Sequence, residues 1–521
     1  MRKKTPSFIT ELPLITTPTD EKHLLARLEA ARQVFNACLG ESFKRLDLLR
    51  QSKAYQAARK MARGQKNSPK AKARSKAFRQ ANKAVGFHEY DLHAYAAQFN
   101  HCWIGEHLDI NTIQKLATRA FKAVQQHAFG KRGRPRFKGK NQMDTVEGKS
   151  NSSGIRWRED RVEWLSLELE AIIEHDDAVI VHGLNSRVKY ARIVRRKLKG
   201  RNRFYIQLVC EGKPYQKPKN KIGQGDVGLD LGPSTIAGVG QHEAFLEQFC
   251  NELKSIQKEI RRQQRHLDRQ RRANNPDNYN PDGTIKKGPK TWYKSGRQRR
   301  TEARLAELYR KQAAHRKSLH GQLVNRILRM GNVYKLEDIS YRAFQRWFGR
   351  SVGMRAPGMF VAHLKRKAAS ADAKVDEFPT RPTKLSQTCH GCGKVAKKPL
   401  SQRWHVCDCG VVAQRDLYSA TDCLQSALAT CVEDGRLNAD RAQVAWSDGV
   451  DSLLQAALNQ IEQPANGKQL PASFGLLGRR QSGSPVKPIV NASRAQDVVP
   501  PSTPMVGELE KARWIVRTPR L

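Results

Sequence analysis

The chain has 521 residues, and its 95 Lys and Arg against 49 Asp and Glu give a net charge of +46, an excess beyond what solubility requires that points to a long polyanion as partner. Ten cysteines without a secretory signal or a long apolar run exclude a membrane span and argue for a reducing, cytoplasmic compartment in which thiols stay free for metal. An apolar content of 39% and a mean hydropathy of −0.68 suit two or more cored domains with loose ends.

From the N-terminus, Phe8 to Ile15 reads as an extended segment ending at Thr17-Pro18, where Thr17 can cap a helix and Pro18 can occupy its first turn. Leu24, Leu28, Ala31, Phe35 and Leu39 recur at helical spacing and give that helix one buried face. Lys44 to Lys83 is rich in Lys, Arg, Gln and Ala, helical by propensity but without a wide apolar stripe; a solvated face and a nucleic-acid-facing one fit it equally. A further helix covers Leu108 to Phe129. Gly130 to Lys140 follows, in which Gly and Pro preclude a helix. There Arg132, Arg134, Arg136, Lys138 and Lys140 surround Phe137, a pattern that suits phosphate contact with stacking.

Between residues 155 and 212 the period changes. Ile155–Trp157, Val162–Leu165, Ala178–His182, Val188–Val194 and Phe204–Cys210 read as strands of a β-barrel with a basic rim, followed by a Pro/Lys linker from Pro214 to Asn220. A strand pair, Asp226–Gly232 and Thr235–Gly240, precedes two long basic helices. Leu253, Ile256 and Ile260 share a face in the first, and Leu305, Leu308, Leu319, Leu323 and Ile327 in the second. The loop between them runs from Asn274 to Gly288. Strand Val333–Ile339, a helix from about Met359 to Ser370 and strand Lys374–Phe378 come next. Beyond about Leu428 the periodicity fades into a helix or two and a disordered tail.

Residues 385 to 424 carry the strongest chemistry. Cys389 and Cys392 form one close pair and Cys407 and Cys409 a second, each pair followed by glycine, which is how a zinc ribbon presents four thiolates from two tight turns. The other six cysteines are scattered and read as small buried hydrophobes. Seven residues after Cys409, Asp416 begins a helix-compatible run. Asp230 lies in an apolar strand between Gly228 and Gly232, and Glu337 ends a strand beside Asp338. Singly, each has an ordinary reading: a buried paired aspartate, a turn or capping carboxylate, a helix N-cap. In the order strand Asp, strand Glu, helix Asp they describe an RNase H-like nuclease. Hydrolysis of a phosphodiester by two metal ions needs such a set, because Mg²⁺ is hard and takes oxygen ligands.

Gly228-Leu-Asp230-Leu-Gly232, Leu336-Glu337-Asp338-Ile339, the two cysteine pairs and Arg415-Asp416-Leu-Tyr-Ser-Ala420 resemble the three RuvC motifs and zinc ribbon of TnpB, the transposon-encoded RNA-guided nuclease family related to type V CRISPR effectors. The resemblance covers roughly residues 8 to 428 and is most specific from 226 onward. It implies an α+β multidomain protein: an RNase H-like (RuvC) nuclease domain with an inserted zinc ribbon, a β-barrel wedge domain and a helical recognition lobe. The expected segments are 1–19 for the first wedge strand, 20–130 for the recognition lobe, 131–220 for the wedge barrel, 221–384 for the nuclease domain, 385–411 for the ribbon, 412–428 for the third motif and 429–521 for a largely disordered extension. It further implies catalysis by Asp230, Glu337 and Asp416 with two Mg²⁺, one structural Zn²⁺ on the four cysteines, a guide RNA and a double-stranded DNA target, with no membrane and the oligomeric state left open. Gln414, where the family usually has an acidic residue, and Tyr418, where it usually has Asn, depart from the pattern on either side of the third carboxylate.

The sequence is thus read as an RNA-guided DNA endonuclease. The alternatives are an RNA-guided DNA-binding protein with weak or no cleavage, a DNA transposase with an RNase H-like core, and a non-catalytic RNA-binding ribbon protein. The last leaves Asp230 in its apolar strand without a reason.

Overall fold

The computed structural model describes residues 5–380, 384–399, 402–421, 450–462 and Phe474. The chain divides into two compact units, Met1–Tyr215 and Gln216–Leu521, and both mix helices with sheets.

In the N-terminal unit, β1 (Ser7–Pro13) leads into α1 (Pro18–Gln51) through a capping box in which Thr17 Oγ1 accepts from Asp20 N at 3.2 Å and Asp20 Oδ2 accepts from Thr17 N at 2.9 Å. α1 buries the stripe that its spacing announces, Leu24, Leu28, Ala31, Phe35 and Leu39 among it. The basic stretch becomes the end of α1, then α2 (Lys53–Lys60) and α3 (Pro69–Ala84). These last two bury only Ala58 and Ala81, so they stand as solvated basic helices. α4 (Glu89–Ala97) buries only Leu92 and Ala96, too narrow a stripe to announce a helix from sequence. The short α5 (Ile104–His107) precedes α6 (Ile110–Ala128).

Six more strands are described in this unit. β2 (Thr145–Glu147), β3 (Arg156–Arg158), β4 (Arg161–Trp164) and β5 (Leu167–Glu170) are short; β6 (Val188–Leu198) and β7 (Arg201–Glu211) form a long hairpin. They assemble as an antiparallel sheet ordered β1-β7-β6-β2 and a meander β3-β4-β5, which meet where Leu14 bridges Ala171. The segment Ala178–His182 is not a strand. Ala178–Leu184 forms helix α7, because Asp177 accepts a hydrogen bond from Val179 N at 2.9 Å and caps the β-branched run. α7 packs on β1 at Gly183, where a methyl group would collide with Thr10. Helices and sheets share one apolar core, from Leu12 through Leu28 and Phe121 to Trp164 and Ile206.

In the C-terminal unit, β8 (Asp226–Leu231), β9 (Thr235–Val239) and β10 (Ala244–Gln248) form an antiparallel meander. α8 (Leu253–Asn274) and α9 (Gly296–Met330) make the helical hairpin, closed by Ile260, Leu267 and Leu305. β11 (Val333–Asp338) returns parallel to β8, followed by α10 (Tyr341–Arg355), α11 (Pro357–Ser370) and β12 (Lys374–Pro379). The sheet order is β10-β9-β8-β11-β12, with β11 parallel to both neighbours. β10 and α10 are additions to the sequence reading: β10 is a short apolar run, and α10 buries only Met354 and Arg355.

The hairpin of β13 (Trp404–Val406) and β14 (Val412–Gln414) runs directly into a helical turn over residues 415–421, α12. A last helix, α13 (Val450–Glu462), packs beside β10 through Leu454, Ala457 and Leu458, in a cluster with Ala237, Leu246 and Leu417. The remainder of the expected disordered extension lies outside the described residues.

Candidate active site and metal centre

Asp230 occupies the fifth position of β8, between the buried Leu229 and Leu231. β11 pairs Leu336 with Leu229, so the next step of this parallel register sets Glu337 beside Asp230 on one face, near the C-terminal ends of both strands. Adjacent strands lie about 4.8 Å apart, which brings two half-buried carboxyl groups together. Strand alternation turns the exposed Asp338 to the other face.

The third carboxylate arrives on α12. Gln414 ends β14 and caps the helix, its Oε1 accepting from Leu417 N at 2.8 Å, so that Asp416 falls in the first helical turn. Thr235 at the start of β9 donates to Asp416 Oδ2 at 3.1 Å and fixes the buried carboxylate to the sheet. Arg403 Nη1 lies 3.8 Å from Asp416 Oδ1.

Burial, then the charges of Asp416 and Glu337, hold the Asp230 carboxyl well above its usual range, against a hydrogen bond from Ser419. Burial pushes Glu337 up to about 7. Asp416 is raised by the same cause, opposed by Arg403 and Thr235. The charges of the three carboxyl groups therefore oppose one another, while among the described residues only the four cysteines bring three or more ligand atoms within 4.8 Å of one another. Beside the carboxyl groups lies Tyr341. Its buried hydroxyl has no hydrogen-bond partner among the described residues, and burial together with Glu377, Asp230, Asp338 and Glu337 raises its pKa.

Cys389, Cys392, Cys407 and Cys409 bring their sulfurs within 4.8 Å of one another, with Cys389 to Cys409 at 3.5 Å and Cys392 to Cys407 at 3.4 Å. A regular tetrahedron of sulfurs about 2.3 Å from Zn²⁺ has edges of about 3.8 Å, so four unoxidised thiols at this spacing fit the ion. The two knuckles turn at Gly393 and Gly410, whose φ angles of +69° and +94° suit glycine. Burial pushes the Cys389 thiol up to about 12, whereas the backbone N–H of Cys409 draws Cys407 down to about 7.

Tyr418 joins ribbon to carboxylate. It is fully buried, its hydroxyl accepts from His390 N and donates to Thr388 O, both at 2.9 Å, and its ring stacks on His405 at 4.1 Å. Thr388 and His390 flank Cys389, and Tyr418 lies two residues after Asp416. Arg415 adds a second tie, donating to Pro399 O at 2.8 Å. Both departures from the family pattern therefore have structural work: Gln414 caps the helix and Tyr418 clamps it to the ribbon.

The basic segment of the N-terminal unit divides. Lys138 is held by its backbone, its N–H donating to Asn36 Oδ1 at 2.8 Å and its carbonyl accepting from Asn36 Nδ2 at 2.8 Å, and burial lowers its pKa. Arg134 lies over the Phe43 ring at 4.4 Å. Arg132, Arg136 and Lys140 are exposed around Phe137, itself exposed.

Sequence reasoning did not find Thr235, Arg403 or Tyr341. Only Tyr341 carried a signal, two residues beyond the Glu-Asp-Ile motif.

Residues 358–422, from α11 through the ribbon to Asp416, match the family model described as Cas12f1-like, TNB domain. Over these residues the chain is similar to that family. No curated protein matches it. Among solved structures, the chain is similar to "Cryo-EM structure of the Cas12f1-sgRNA-target DNA complex" at 11% identity and a TM-score of 0.41, over 80% of this chain and 98% of that one. It is also similar to "Cryo-EM structure of CRISPR-Cas12f Ternary Complex" at 11% identity and a TM-score of 0.25, with the same coverage. Among the described residues, no helix is long and apolar enough to cross a membrane.

Proposed function

We propose that the chain is an RNA-guided DNA endonuclease whose catalytic centre is Asp230, Glu337 and Asp416. The observation that carries this reading is the parallel register that sets Glu337 beside Asp230, with Asp416 tied to the same sheet by Thr235. Two Mg²⁺ ions held by these three groups would activate water and stabilise the leaving oxygen of a phosphodiester. The chain's own residues prepare that step: Thr235 orients Asp416, and apolar Leu229, Leu231 and Leu336 exclude water behind the carboxylates. One Zn²⁺ on the four cysteines would hold the ribbon from which α12 is hung through Tyr418 and Arg415.

The partners are those of the family: a guide RNA and double-stranded DNA. The guide reads the target by base pairing, while the protein engages heteroduplex shape, backbone and a short flanking motif. On this reading residues 221–384 with 412–428 are the RuvC domain, 385–411 the ribbon, 20–130 the recognition lobe, and 1–19 with 131–220 the wedge. Arg132, Arg136 and Lys140 meet phosphates, Arg134 does so from its seat on Phe43, and Lys138 holds the segment in place.

A second reading, guided binding with weak cleavage, is favoured by the engagement of both Asp416 oxygens, one by Thr235 and the other near Arg403. Mg²⁺-dependent cleavage of a guide-matched duplex separates the two. Under the first reading, Asp230→Ala and Asp416→Ala abolish cutting and leave target binding within about twofold, because metal ligands act on the chemical step. Wild-type protein that binds the target fully but does not cut it supports the second.

A further inference from the structure

We infer that the outer face of α10 is a stacking platform, centred on Trp347, that holds single-stranded DNA beside the carboxylates. This inference rests on the nuclease reading of Asp230, Glu337 and Asp416.

The helix is fixed to that site at two points. At its N-terminus Tyr341 lies where the charges of Glu377, Asp230, Asp338 and Glu337 reach it, with its hydroxyl unpartnered among the described residues. Further along, Ser351 donates to the carbonyl of Pro233, in the turn directly after Asp230 and its strand. Between these anchors Trp347 is 78% exposed and Phe348 39%. An indole left in water carries a large apolar surface that ordinary solvated helices avoid; the basic helices α2 and α3 face solvent with Lys, Arg, Gln and Ala instead.

An aromatic ladder leads inward from this surface. Phe348 meets Phe344 edge to face at 6.2 Å, and Phe344 meets Tyr341 at 6.3 Å. The helix breaks at Phe348 (φ −119°, ψ 33°), which sets Trp347 at the end of one helical segment rather than in the middle of a straight rod.

Charge selects the occupant. Residues 341–355 hold four arginines and no acidic residue. Arg355 is buried and donates to Phe249 O, but Arg342, Arg346 and Arg350 are exposed and form no ion pair among the described residues. Arg346 lies 5.8 Å from the Trp347 ring. A methyl group on Gly349 or Gly353 would touch nothing within 4 Å, so the backbone itself is open to close approach. An aromatic among unpaired cations takes a polyanion with accessible bases. Paired bases in a duplex are already stacked, which leaves a single strand, and the adjacent carboxylates make that strand the DNA to be cut.

The test uses full-length, guide-loaded protein carrying Asp230→Ala, titrated with an oligo(dT) while tryptophan fluorescence is read. Trp347→Ala in that background is expected to weaken binding roughly tenfold and to remove part of the quench, with Trp347→Tyr restoring most of the affinity. Replacing Arg346 and Arg350 by Gln is expected to flatten the salt slope by about 1.4, at about 0.7 per phosphate contact. The side chain is exposed, so an unchanged thermal melt shows that the fold is intact. Full oligo(dT) affinity in Trp347→Ala overturns the inference, as does a preference for oligo(U) over oligo(dT). Neither result touches the nuclease reading, which fails separately if Asp230→Ala protein still cuts.

Discussion

Two half-buried aspartates, one in each unit, are placed in opposite ways. Asp109 in the N-terminal unit receives hydrogen bonds from Asn111 N and Thr112 N at 3.0 Å, Thr112 Oγ1 at 2.6 Å and Trp164 Nε1 at 3.0 Å. It caps α6 and ties it to β4, so its charge is spent on the fold. Asp230 in the C-terminal unit faces two other carboxyl groups and is pushed away from ionisation. The same side chain thus closes a structure in one unit and leaves an electrostatic deficit in the other. Such a deficit persists only where something else meets it.

The largest perturbation of this contrast is loss of the ribbon metal. Structural zinc contributes roughly 10–16 kcal/mol of apparent binding energy that is also folding energy. Cys407→Ser is expected to abolish zinc content by elemental analysis and cleavage with it, while the unfolding of the N-terminal unit is unchanged. Zinc-free protein that still cuts at the wild-type rate contradicts the role given to the ribbon.

The two aspartates themselves come next. Asp109→Ala should lower stability by roughly 2–4 kcal/mol in chemical denaturation, since it removes a cap and leaves the Trp164 indole N–H unpaired. Asp230→Asn should do the reverse in metal-free protein, leaving stability equal or raising it by about 1 kcal/mol while ending catalysis. Destabilisation of similar size by both would remove the distinction.

Tyr418→Phe is smaller. It deprives Thr388 O and His390 N of a buried partner, at about 1–3 kcal/mol, and its mark is a fall in cleavage rate with zinc retained. Smallest is a pH effect at His363 on α11, which burial, helped by Arg366, Lys367, His320 and Lys317, lowers to about 4. The unfolded chain binds the proton more readily, so this histidine's contribution is full above about 6.5 and is lost as pH falls toward 4. His363→Gln should flatten the acid side of the stability profile across that window.

Much of the C-terminal unit was legible because its signals are local. The cysteine pairs announce their knuckles, and Asp230 is conspicuous among Val227, Leu229 and Leu231. Long-range placement was not legible. Nothing near Thr235 in the sequence tells that its hydroxyl will reach Asp416, and Arg403 reaches the same group from the ribbon. α7 was misread as a strand because its β-branched run outweighed the single capping Asp177. α10 was missed because a helix with almost no buried face has no stripe to reveal it. Tyr418 stood out as a departure, but its role as a clamp depends on the folded ribbon.

Guided cutting is the central claim, and sequencing the RNA that copurifies with the protein, then offering a duplex matched to it with Mg²⁺, tests it most directly. The account predicts a discrete guide RNA, cleavage of the matched duplex alone, and binding without cleavage by Asp230→Asn protein. Protein stripped of RNA that cuts a defined DNA site as well as the guided form, or an Asp230→Asn variant that cuts undiminished, would contradict it.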